Sequence, residues 1–311
     1  MMDLTISVIE QGLIFGVLTL GVYLTYKILD LPDLTVEGSI VLGAAITGRL
    51  LVSGMNPILA TVISLFGGGL AGLMTGLLHV KLKISPLLSG ILVMIGLYSI
   101  NLRIMKLPNL SLFKFQTVFT NFDGLLSKLG LSNPDFNKFI LLIILILFIK
   151  YSLDWFLQTK LGMLLKTCGD NPRLLDSLGV SLGKMKLLGL TLANALVALA
   201  GSLLAQYQRF TDVNSGTGTI VVGLAAVIIG QTLFGSKENK WVKATTAVIL
   251  GSIIYKLLQA LTLQLGFNTN DFKLVSAILV IVALGFSQNS FKFNLKFNFK
   301  SIQREVTNVR S

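Results

Sequence analysis

Three polar stretches interrupt an otherwise apolar chain, and each carries residues whose types and spacing could do chemistry. In LDLPDLTVEGS, residues 29–39, the acids Asp30, Asp33 and Glu37 stand at the edge of an apolar run, with Gly38 following directly. Carboxylates beside a membrane span are costly unless they cap a helix, pair or face water. Asp33 or Thr35 suits an N-cap, with Glu37 in the first turn where the helix dipole favours negative charge. The other use is a proton relay; capping is favoured, because the remaining spans are read as lacking an acid near mid-membrane. In TDVNSGTGT, residues 211–219, Asp212, Gly216 and Gly218 form a polar, glycine-containing mouth expected on the outer side. Asn194, Gln206, Gln208, Gln231 and Gln259 add uncharged polar groups in or near apolar runs. They could line a translocation path or join helix to helix, the usual role of such residues.

The third stretch, TKLGMLLKTCGDNPRLLDSLGVSLGKMK over residues 159–186, is the one long internal segment that is both polar and basic. Asp170 and Asn171 are good N-caps, Pro172 suits the first helical position, and Gly179 suits the left-handed residue beyond a helix end. The spacing predicts a two-turn helix over 172–178, with Gly169 and Arg173 beside it and an exposed apolar stripe of Leu174, Leu175 and Leu178. Such a helix could plug a groove on another protein. It could equally be a surface helix in an ordinary loop.

These stretches need a frame to hold them, and the composition says which. Of the 311 residues 53% are hydrophobic and 13% charged, and the mean hydropathy is +0.79. That is too apolar for a soluble domain of this length, so the chain is read as an integral membrane protein in a lipid bilayer. The net charge of +12 falls in short loops rather than on a basic face interleaved with aromatics, so it orients the protein and implies no nucleic-acid partner. A lone cysteine, Cys168, excludes an internal disulfide, and a lone histidine, His79, excludes a histidine metal site. No GxxxxGK[ST] phosphate loop, HExxH or GxSxG motif occurs, so the chain is not read as an enzyme and no cofactor is expected on it.

Apolar runs near the ~20 residues needed to cross a bilayer are expected at 7–26, 35–52, 57–78, 86–102, 136–156, 187–206, 216–234, 241–263 and 272–286. The fold class is therefore all-α, a polytopic bundle of about nine transmembrane helices, within a range of eight to ten. Residues 1–288 form the membrane domain, with the basic loop at 158–186, and residues 289–311 a basic tail. Seventeen of the 26 Lys and Arg lie on the side of that loop and nine on the other, which places loop and C-terminus in the cytoplasm and the N-terminus outside. The first run follows an acidic start and is taken as a retained span rather than a signal peptide. Residues 106–135 make the longest external connection, with an interfacial helix expected around 123–129. GSIVLGAA (38–45) and GTIVVGLAA (218–226) are similar and would run oppositely, as the copies of an inverted repeat do. Gly72 and Gly76 form a small-xxx-small pair suited to close helix packing.

GMLLKTCGDNPRLLDSLGVSLGKMKLLGLTLANALVALAG, residues 162–201, resembles the cytoplasmic coupling region and following helix of ABC-importer permeases in the branched-chain amino acid, ribose and nucleoside group. LDLPDLTVEGSIVLGAA and TDVNSGTGTIVVGLAAVIIGQTL are similar to the permeases of tryptophan/tyrosine-type uptake systems. The resemblance covers residues 11–285. It implies a pathway built from two permease subunits, most simply a homodimer, with two ATP-binding subunits that carry Mg-ATP docked on the coupling helices. An extracytoplasmic substrate-binding lipoprotein would deliver a small solute, such as tryptophan or tyrosine. Gly169, Asp170, Asn171, Pro172 and Gly179 match the coupling motif; Asp33, Glu37, Gly38, Asp212, Gly216 and Gly218 match the other two motifs and, with Asn194, are candidates for the pathway or its gate. An ion-coupled secondary transporter is the alternative.

Overall fold

Helix starts follow one local rule in four places. Asn56-Pro57, Ser85-Pro86, Asn133-Pro134 and Asn171-Pro172 each put a capping residue before a proline at the first turn. Proline there gives up an N–H that the helix could not use, and its fixed φ suits the turn. The computed structural model describes residues 2–127, 133–234 and 241–265, together with six further positions between 274 and 285.

In order, α1 (Met2–Tyr23) runs into a π-helical turn (Leu24–Ile28), then come α2 (Thr35–Val52), α3 (Pro57–Val80) and α4 (Pro86–Met105). A short strand β1 (Asn109–Ser111) and α5 (Val118–Ser127) precede α6 (Pro134–Gln158), α7 (Lys160–Asp170), α8 (Pro172–Ser177) and α9 (Leu182–Gln208). A second strand β2 (Phe210–Asp212), α10 (Thr219–Phe234) and α11 (Trp241–Gln264) complete the described order. Eight of the expected spans are thus helices, and seven of them are long and apolar enough to cross a membrane. The exception is α10: its 16 residues give about 24 Å of helix against a hydrocarbon core of roughly 30 Å. The run at 272–286 lies largely outside the described residues, and the tail at 289–311 wholly so. The interfacial helix expected around 123–129 begins earlier, as α5.

Glycine sets how closely these helices approach. Gly68, Gly72 and Gly76 of α3 lie against Asn194, Leu190 and Leu187 of α9, so the small-residue pair does bring two spans together, running oppositely. Gly43 of α2 meets the Ala198 backbone of α9, and Gly201 of α9 meets that of Ile40. Helix α9 is the hub, packed against α1, α2 and α3, while α11 joins α1 to α10. Directions follow from the pairs. Ser39 meets Asn194 and Thr47 meets Ser202, so α2 and α9 run the same way. Gly21 meets Ala193 and Tyr207 reaches Glu10, so α1 opposes α9. Gly12 meets Ile253 and Gly16 meets Ile249, so α11 opposes α1; Gly230 meets Ala247 and Gly251 meets Ala226, so α10 opposes α11. Helices α2 and α10, which carry the two similar stretches, therefore run in opposite directions, as the copies of an inverted repeat must.

The outward faces of α3, α4 and α6 carry exposed Phe66, Leu70, Leu88, Phe148 and Trp155, a surface suited to lipid. Two basic residues depart from the expectation that charge sits in loops. Lys150 is buried within α6 and pairs with Asp154 at 2.9 Å, and Lys256 of α11 lies 3.7 Å from the centre of the Phe15 ring. The carboxylate one turn on in α6 and the Phe15 ring of α1 make these charges tolerable within the bundle. The expected all-α architecture also gains a small ribbon, β1 paired antiparallel with β2 with Leu110 opposite Thr211, which ties the 106–135 connection to the end of α9.

Gly201→Val drives branched carbons into the Ile40 backbone and should destabilise the protein by about 1–3 kcal/mol. Gly96→Ala, at a position with open space around it, should be neutral. Thermal unfolding in mild detergent separates the two.

Candidate functional site

Thr211 packs on Gly48 near the end of α2, whereas Gly216 touches the Glu37 backbone in its first turn. Eleven residues of helix separate Gly48 from Glu37, about 16 Å, so residues 211–218 fold back along α2 rather than forming a mouth at its end. Consecutive turns make this possible. Asp212 Oδ1 accepts from the Asn214 N–H at 2.6 Å, and the Ser215, Thr217 and Thr219 N–H groups bond to Asp212, Asn214 and Gly216 carbonyls. Gly218, at φ +84°, takes the left-handed conformation that costs other residues, and its N–H donates to Glu37 Oε1 at 2.9 Å. Irregular backbone at membrane depth is tolerated where it is buried in protein or lines a cavity. Here it does the latter. A cavity of about 390 Å³ opens between α2, α4 and this segment, walled by Glu37, Gly38 and Val41, by residues of α4 from Met94 to Asn101, and by Val213, Gly216 and Thr217.

Of the seven pathway candidates, Glu37, Gly38 and Gly216 line this cavity, and Gly218 holds Glu37 in place. Asp212 orders the turn. Asp33 and Asn194 lie elsewhere, buried between helices and bonded to each other through Asn194 Nδ2 and Asp33 Oδ2 at 2.7 Å. Asp33 Oδ1 also accepts from the Thr35 N–H at 2.9 Å, although the cap residue of α2 is Leu34 rather than the expected Asp33 or Thr35. Burial pushes the Asp33 carboxyl above its ordinary range, while the bonds from Thr35 and Asn194 pull it back. Asn194 accepts in turn from Ser39 Oγ at 2.7 Å, and Gln206 donates to Thr61 Oγ1 at 2.8 Å. Both amides join helices.

Sequence reasoning missed Tyr98, Ser99 and Asn101 on the α4 wall; a lone Asn inside an apolar run was the available signal. It also missed two buried acids within spans. Glu10 of α1 accepts from Tyr207 Oη at 2.8 Å, and Asp154 of α6 accepts from Thr245 Oγ1 at 2.6 Å besides pairing with Lys150.

The basic loop folds as its caps dictate. Asn171 is the cap of α8, accepting from the Leu174 N–H, while Asp170 ends α7. At the other end the Val180 N–H bonds to the Leu175 carbonyl and the Gly179 N–H to that of Asp176, with Gly179 at φ +72°. This is the paired closure of a left-handed glycine cap. Gly169 lies directly on the Ile28 backbone, pinning α7 to the end of the first span. Leu174 and Leu178 are exposed, at 47% and 60%, but Leu175 is fully buried, at 0%. The expected three-leucine stripe is therefore an exposed pair, because at i+1 the third leucine points into the body of the protein.

A bundle of membrane-crossing helices, a folded-back polar segment walling a cavity, and a capped helix standing out of a basic loop define a polytopic membrane transport protein. The chain belongs to the family described as the permease component of branched-chain amino acid transport systems, whose model matches residues 4–284, and it is thus a permease component of an ABC transporter. It is 46% identical over 279 residues to the tyrosine transport system permease protein of Clostridioides difficile, covering 90% of each chain. The ribose import permease protein of Escherichia coli is 22% identical, over 89% of this chain and 83% of the relative. A solved metal-chelate type ABC transporter in an inward-facing conformation shares the fold, with a TM-score of 0.52 and 13% identity, covering 91% of this chain and 85% of that one.

Leu175→Asp should destabilise the protein by about 3 kcal/mol or more, the scale for emptying and charging a fully buried leucine site. Leu174→Asp should leave thermal unfolding unchanged. Cys168 is buried, and burial pushes its thiol up while Lys186 draws it down. Because the thiolate is the reactive form, a maleimide at neutral pH should label Cys168 only after denaturation, read by mass spectrometry.

Proposed function

We propose that the chain forms the translocation pathway of an ATP-driven importer for an amino acid such as tyrosine or tryptophan, working as a pair of identical permeases. Helix α8 is the observation that carries this reading. Locally determined caps close it at both ends, Leu175 anchors it to the body, and Leu174, Leu178 and Arg173 are left for a partner. That partner is a separate ATP-binding subunit holding Mg-ATP, and an extracytoplasmic binding lipoprotein delivers the solute. The 46% identity to a permease named for tyrosine transport supports the amino-acid class. The excess of Lys and Arg near α7 and α8 supports a cytoplasmic position for that end and an external N-terminus.

The mechanism is alternating access driven from α8. ATP draws the two ATP-binding subunits together, and each pulls on the exposed leucine pair. Leu175 and the Gly179 closure pass the displacement to α9, and the close packing of α9 on α2 passes it towards Glu37 and the folded-back segment. The gate changes sides without chemistry on this chain.

In proteoliposomes containing the whole complex, Leu174→Asp with Leu178→Asp should leave the permease inserted while lowering stimulation of ATP hydrolysis by the loaded binding protein about tenfold, or 1.4 kcal/mol of coupling. Unchanged stimulation would remove the docking role. Uptake by the permease alone under an ion gradient would replace this reading with ion-coupled transport.

A further inference from the structure

The cavity beside Glu37 has a chemical character of its own. At about 390 Å³ it falls within the size range of small-molecule sites, and it is built as they are, from apolar walls with a few convergent polar groups. Among the described residues lining it, Glu37 alone is charged. One oxygen of its carboxylate is oriented by the Gly218 N–H, so the group is held at the cavity wall. Asn101 supplies a second, independent feature. Its Nδ2 donates to the Gly38 carbonyl at 3.3 Å, which fixes the amide plane. Its Oδ1 is then buried with no hydrogen-bond partner, in a residue only 1% exposed that helps to line the cavity. An acceptor left unsatisfied in a buried place has desolvation to recover, and a donor brought by a ligand recovers it. The lining therefore combines an acceptor and a negative charge with apolar and aromatic surface.

We propose that this cavity is a substrate station in the permease that binds an ammonium group between the Glu37 carboxylate and Asn101 Oδ1, with the apolar body of the same solute against Val41, Met94, Ile95 and Tyr98. The ligand class is a primary amine or amino acid with an apolar or aromatic side chain. The assignment rests on the importer reading for its place in transport, but its binding chemistry stands apart from it. Glu37 is then a residue that recognises the solute's amine as well as one that holds the folded-back segment. Glutamine at position 37 keeps an oxygen for the Gly218 N–H while removing the negative charge, which separates these two roles.

The test uses the full chain in lipid nanodiscs with Ser99→Cys, an exposed position on the cavity wall, and native Cys168 kept because its burial silences it. The rate of modification by a methanethiosulfonate reagent is measured with tyramine, L-tyrosine or 3-(4-hydroxyphenyl)propionate present. Tyramine and L-tyrosine should slow modification, and the acid lacking an amine should not. Adding Glu37→Gln should raise the protecting concentration of tyramine about tenfold, the scale of one lost charged hydrogen-bond partner. Met55→Cys, exposed outside the cavity, should be protected by none of them. Protection by the acid, equal protection by all three, or no protection would overturn the station. Stimulation of ATP hydrolysis in the assembled complex reports separately on the importer reading. Stimulation without protection removes the station alone, and protection without stimulation removes the importer reading alone.

Discussion

A buried amide on the central helix is the interaction on which the rest of the bundle depends. Asn194 of α9 donates to Asp33 and to the Leu190 carbonyl and accepts from Ser39. In a span without water an unmet polar group is expensive, so three partners must stay where they are for α9 to be buried at all. Gly68 and Gly72 bring α3 onto that same turn of α9, and Gly43 brings α2 one turn further on. Dispersion contacts between backbones this close supply packing, and the amide specifies register. Neither suffices separately, because small residues alone let helices slide and a lone amide cannot hold three helices.

The rigid seam of α2, α3 and α9 contrasts with what is attached to it. Residues 211–218 are irregular, held by turns, by one glycine in a left-handed conformation and by the Glu37 bond. Such a segment has few alternatives to its hydrogen bonds and small side chains to move, which is the physical profile of a part that shifts between two arrangements. Its wall, the cavity and the short α10 come together because the chain uses eight residues to return along α2 instead of continuing as helix.

At the basic loop, local and tertiary forces divide the work. Caps at Asn171 and Gly179 close α8 without help from the rest of the molecule. Leu175 and Gly169 join it to the body, through the core and through the end of the first span respectively. A helix that is both self-contained and anchored can transmit a push, whereas an unanchored one would simply bend its loop.

How much of this was legible in the sequence follows from the range over which each force acts. Helix starts at Asn56, Ser85, Asn133 and Asn171, the left-handed Gly179, the close-packing glycines of α3 and the bilayer-length runs all depend on residues a few positions apart. Spacing and composition reveal them directly, and the three polar stretches are visible for the same reason. Which leucine of α8 is buried, that Asp33 bonds to Asn194 rather than facing a path, and that Asn101 walls a cavity with Glu37 depend on partners far along the chain. Glu37 and Gly218 stand 181 residues apart, and Ser39 and Asn194 stand 155 apart. The fold class, the family motifs and the capped helix were thus determined by the sequence alone. The folded-back segment and its cavity were decided only by the tertiary structure, because nothing local marks which buried polar group will find which partner across the bundle.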